Sequence, residues 1–87
     1  GRGVCGTAWK ECRSLVVEDV EAFPGHIACS SLSRSEIVVP LFSDGIVVGE
    51  IDIDSTELST FDDVDREYLE KAAEMIATFM AKLAKVD

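Results

Sequence analysis

The chain of 87 residues sets 8 Lys and Arg against 17 Asp and Glu, a formal net charge of −9, and is 47% hydrophobic. So few scattered bases exclude a nucleic-acid surface and disfavour an anionic membrane as partner. The apolar share excludes a disordered chain, and no apolar run approaches the roughly 20 residues of a membrane span.

The length allows one domain, residues 1–87. Three cysteines form no even disulfide set and show no paired zinc-ligand spacing, which fits reduced thiols in the cytoplasm. The chain opens on Gly1, not Met, and already inside a motif, which suggests a cleaved or truncated product.

Residues 3–13 carry no proline and read as a short helix with Cys5, Ala8, Trp9 and Cys12 at helical spacing. Cys5 is either a small core residue or a redox partner, and Cys12 is a helix-face cysteine without a role. Residues 14–17 are β-branched and apolar, hence a strand. Residues 18–34 then form a long connection holding Pro24, Gly25, His26 and Cys29, and connections of that length inside compact domains are usually functional. We expect the wall of an active site there. His26 either lowers the Cys29 pKa or packs as a loop residue on Pro24.

Residues 36–42 and 46–54 predict a hairpin about Ser43, Asp44 and Gly45. A three-residue loop pairs Phe42 with Ile46 and Glu36 with Asp52. It gathers Ile37, Val39, Leu41, Val47, Gly49, Ile51 and Ile53 on one face and Glu36, Glu50, Asp52 and Asp54 on the other. Since a one-residue slip would mix the two sets, the segregated register is the expectation. Pro40 should lie where no ladder donor is needed. The last element is a helix over 62–85, capped by Asp62, with Leu69, Ala72, Ala73, Ile76, Phe79, Met80 and Leu83 as the stripe that covers the apolar face. Both methionines read as core filler.

The clustered Glu36, Asp52 and Asp54 are either solvated charges of an acidic surface or a site. If partly buried, their mutual repulsion should push at least one pKa upward, so that a neutral carboxyl can donate a proton. Glu50 reads as solvated.

Four blocks carry a resemblance: Gly1-Arg-Gly-Val-Cys-Gly-Thr-Ala8, Asp19-Val20 with Phe23-Pro-Gly-His-Ile-Ala-Cys29, Ser35-Glu-Ile-Val-Val-Pro-Leu41, and Ile51-Asp-Ile-Asp-Ser55. In order and spacing they are similar to the free methionine-(R)-sulfoxide reductases, enzymes of the GAF fold. The resemblance implies an α+β fold, a GAF-like antiparallel sheet with helices packed on one face. The chain would be an incomplete GAF domain, without its N-terminal helix and first strands. It implies Cys29 as nucleophile, Cys5 as a second redox cysteine, and Glu36, Asp52 and Asp54 as binders of free methionine sulfoxide. No metal or organic cofactor is needed. The expected partners are a thioredoxin-like reductant and either the N-terminal fragment of the same protein or a second copy that completes the sheet. Ser30 follows Cys29 where the family commonly has Asp. The competing reading is a ligand-binding or redox-sensing GAF domain without catalysis.

Overall fold

The computed structural model describes residues 3–24 and 32–84, in the order helix α1 (Gly3–Glu11), strand β1 (Leu15–Val17), strand β2 (Ser35–Ser43), strand β3 (Ile46–Ser55) and helix α2 (Asp63–Ala84). His26 and Cys29 lie outside the described residues. The strands form one antiparallel sheet in the order β1-β2-β3.

Helix α1 stops where Cys12 takes a left-handed φ of 56°. The Cys12 amide donates to the Trp9 carbonyl at 3.3 Å and the Arg13 amide to the Ala8 carbonyl at 3.2 Å. This is a Schellman ending, with cysteine where glycine is usual. Val4 and Ala8 are the buried positions of α1, whereas Trp9 is exposed.

The hairpin differs from the expected register. Asp44 and Gly45 both have positive φ, 52° and 79°, and Ser43 pairs with Ile46, so the loop is a two-residue type I′ turn. Taken alone, that turn would have mixed carboxylates with core residues. A bulge restores the separation: Phe42 pairs with Val47 but Leu41 pairs with Gly49, leaving Val48 as the extra residue. Beyond it Ile37 faces Ile53 and Val39 faces Ile51, while Glu36 faces Asp54 and Val38 faces Asp52. Glu36 therefore sits opposite Asp54, not Asp52. Pro40 lies past the stretch of β2 that β1 pairs, which ends at Val38, so one side of β2 has no ladder there.

The two helices take opposite faces of the sheet. Ile37, Val39 and Leu41 pack with Ala73 and Ala77 of α2, joined by Ile51 and Leu69. Val38 packs with Val4 and Ala8 of α1, together with Leu15, Val17 and Val20. The antiparallel sheet is as expected, but helices on a single face are not. Strand β2 is apolar on both sides from Ile37 to Leu41, so each side needs a cover. The interruption of the polar alternation by Val38 and Pro40 was the signal.

Asp62 caps α2 as expected. Its Oδ1 accepts from the amides of Val64 at 3.0 Å and Asp65 at 3.1 Å, and Asp65 Oδ2 accepts in return from the Asp62 amide at 3.0 Å. The expected stripe is only partly covered. Ala73 and Ala77 are buried, but Ile76, Phe79, Met80 and Leu83 are exposed. Neither methionine is core filler, since Met75 is 73% exposed and Met80 46%.

Candidate functional site

The carboxylate face of β2 and β3 meets α1. On β3 the period of two puts Glu50, Asp52 and Asp54 on one side, and Glu36 joins them from β2. Cys5, one turn into α1, points its thiol at this row: Sγ donates to Asp52 Oδ2 at 2.9 Å. The reacting atoms of Cys5, Glu36 and Asp52 all lie within 4.8 Å of one another. The sequence assigned these three residues to one site, and the fold brings them together.

Asp54 stands at the open end of the row, opposite Glu36. Ser33 Oγ donates to Asp54 Oδ1 at 2.9 Å, tying it to the connection between β1 and β2. That connection is pinned at both stems. Asp19 Oδ1 accepts from the Glu21 amide, the Val20 amide donates to the Arg34 carbonyl at 2.9 Å, and the Arg34 amide donates to the Ser55 carbonyl at 2.7 Å. Buried Ser35 donates to the Glu57 carbonyl at 2.6 Å and so fixes the start of β2 against the chain leaving β3.

The electrostatics are one-sided. Burial pushes the Glu36 carboxyl up to about 8, helped by a hydrogen bond with Asp52 and by the charges of Asp52, Asp54 and Glu50. The expected rise thus falls on Glu36, which is half-buried and largely protonated near neutral pH. Burial also pushes the Cys5 thiol far above its ordinary value, followed by the hydrogen bond to Asp52 and the charges of Asp52, Glu50 and Glu36. With the proton on sulfur, the trio is arranged for proton sharing between the thiol and the two carboxyl groups.

Glu50 corrects the reading of it as solvated. Its Oε2 is shut off from solvent and has no hydrogen-bond partner among the described residues. Burial raises its pKa, as does the charge of Asp52, against a lowering by the Cys5 thiol. The period-two rule had already placed it on the face of Asp52 and Asp54; its burial is what that rule does not state.

Other grooves lie elsewhere. One of about 820 Å³ is lined by Cys12, Pro40, Phe42, Glu70, Ala73 and Ala77, and none of the site residues borders it.

The chain is similar to several known proteins. The chain is 55% identical over 76 residues to GAF domain-containing protein A of Dictyostelium discoideum, covering 87% of this chain and 48% of that protein. It is 52% identical over 77 residues to the free methionine-R-sulfoxide reductase of Saccharomyces cerevisiae, covering 87% and 43%. A solved structure of free methionine-R-sulfoxide reductase from Neisseria meningitidis in complex with its substrate superposes with a TM-score of 0.85 at 58% identity, over 90% of this chain and 47% of that one. The chain thus spans about half the length of the relatives it matches. The GAF domain family model matches residues 1–81, and with the sheet and its two helices in place the chain belongs to the GAF domain family.

Proposed function

We propose that this chain is the C-terminal part of an enzyme that reduces free methionine-(R)-sulfoxide to methionine. The observation that carries the reading is the largely neutral Glu36 carboxyl beside Asp52 and the Cys5 thiol, on a chain 52% identical to a reductase of that name. The Cys29 thiolate attacks the sulfoxide sulfur while Glu36 gives its proton to the oxygen. The protonated oxygen passes from the methionine sulfur to the Cys29 sulfur as the transient S–S bond breaks, so methionine leaves and Cys29 is left as a sulfenic acid. Asp52 and Asp54, as carboxylates, hold the ammonium group of the free amino acid. Cys5 then attacks the sulfenic sulfur, water departs, and a disulfide forms. A thioredoxin-like dithiol reduces that disulfide. The Cys5 proton already lies on a hydrogen bond to Asp52, the group that takes it once a bound cation has offset the negative charge of the row. The connection that carries Cys29 is tied to Asp54 through Ser33.

The reading includes a reducing cytoplasmic setting and a second polypeptide that completes the sheet. No helix among the described residues is long and apolar enough to cross a membrane. The test couples methionine-(R)-sulfoxide reduction by the intact protein to thioredoxin-dependent NADPH oxidation. Turnover should be lost in Cys29→Ser, and first-turnover methionine release should survive in Cys5→Ser. Methionine release by Cys29→Ser would sink the assignment. An intact protein that binds methionine sulfoxide without turnover would be a sensor instead.

A further inference from the structure

Three carboxylates surround one thiol, and no ion pair among the described residues reaches them. Arg13 pairs with Glu11, and Arg66 with Asp63 and Glu70. Cys5 Sγ donates its hydrogen to Asp52 Oδ2 at 2.9 Å, a bond that exists only while the proton is on sulfur. Two residues along the same strand and on the same side, Glu50 holds an oxygen that is closed to water and lacks a donor. With no donor on that oxygen a charge on the Glu50 carboxyl is poorly offset, and a thiolate beside it would add like-charge repulsion.

We infer that Glu50 is a positioning residue for Cys5: with Asp52 it traps the proton on the thiol and keeps Cys5 from becoming a nucleophile until charge in the row is neutralised. The groups that face Cys5 are Glu50 and Asp52 from β3 and Glu36 from β2, all acidic. With burial, each of them opposes ionisation of the sulfur. A cation entering the row, such as the ammonium of an amino acid, weakens that opposition and so couples ligand binding to the readiness of the thiol. The inference rests on the reading above for the part of Cys5 in turnover. Its chemistry, however, is read without turnover.

The test follows alkylation by iodoacetamide in the intact protein across pH, with Cys5 and Cys12 quantified separately by peptide mass spectrometry. In Glu50→Gln the Cys5 profile should move to lower pH. At a pH where the thiol is mostly protonated, alkylation should be faster by about tenfold, the equivalent of one pKa unit. Cys12, at the other end of α1, should be unchanged and serves as the folding control. Glu50→Asp keeps the charge and should restore the original profile. A Cys5 profile that is unmoved or moves upward in Glu50→Gln overturns the inference, as does an equal shift in Glu50→Asp. A wild-type protein inactive on methionine sulfoxide but showing the expected shifts would remove the proposed reaction and leave Glu50 as the guard of the thiol.

Discussion

Glu36 sits where three effects on a carboxyl act in one direction. Burial, a hydrogen bond with Asp52 and the charges of Asp52, Asp54 and Glu50 all favour the protonated form, up to about 8. The folded state therefore binds this proton more tightly than the unfolded chain does. The stability contributed by Glu36 is full below its ordinary value of 4.5 and is lost as pH rises through about 8. Glu36→Gln should abolish that loss: its thermal midpoint should gain on wild type between pH 5 and about pH 9. As the proton donor of the proposed reaction, Glu36 should also give a wild-type rate that declines above about pH 8. The Gln variant should be slower by about 10²-fold or more. Thermal midpoints and specific activities, measured side by side across pH, check both. Retained activity with a lowered midpoint would make this acid structural. The grouping of Glu36 with Asp52 and Asp54 was legible in the sequence because alternation along a strand is a short-range rule. The same rule placed Glu50 on that face, and it was read as solvated because it matched no motif. The burial of one of its oxygens beneath Cys5 depends on how α1 docks, which no local pattern states.

At the scale of elements, the extent of each helix and strand followed from periodicity and caps. The loop between β2 and β3 did not. Asp44-Gly45 is a strong signal for a two-residue turn, and the requirement for segregated faces argued against it. Both were right, and the bulge at Val48 reconciles them. A bulge has no fixed sequence signature beyond a local excess of one residue, so the pattern alone could not choose it. Helix α1 offers a test of a different kind. Cys12 occupies the left-handed end position at φ 56°, where a Cβ is disfavoured by roughly 1–2 kcal/mol. Its side chain offers little in return: it is exposed, and Sγ reaches only the Trp9 carbonyl, at 3.7 Å. Cys12→Gly should therefore stabilise the fold by about 1 kcal/mol, less a fraction for the freer unfolded chain. A denaturant midpoint raised at constant slope is the expected result. An unchanged or lowered midpoint would mean that the thiol contributes contacts beyond those described.

On the scale of the whole molecule, two surfaces remain uncovered, and they adjoin. Among the described residues strand β3 pairs only with β2, which leaves its other side as an edge from Ile46 to Ser55, with Ile46, Val48 and Ile53 exposed. Edges this long are templates for pairing with another chain. Helix α2 turns Leu69, Ala73 and Ala77 to the sheet and leaves Val64, Tyr68, Met75, Phe79 and Leu83 outside, a second apolar line spaced by fours and sevens. A chain of this size buries only about 60–65% of what it exposes when unfolded, so the margin for leaving such surfaces wet is small. The relatives this chain matches are about twice as long as the matched segment. We expect the 87 residues alone to self-associate, or to purify with a second polypeptide laid along β3 and α2. Denaturing electrophoresis and size exclusion with light scattering decide between these. Coexpression with a polypeptide that supplies the other half of a GAF domain should yield a 1:1 assembly, raise the unfolding midpoint and protect β3 amides from hydrogen exchange. A lone 9.4 kDa monomer that unfolds cooperatively, with β3 amides already protected, would show that the exposed edge and helix face need no partner.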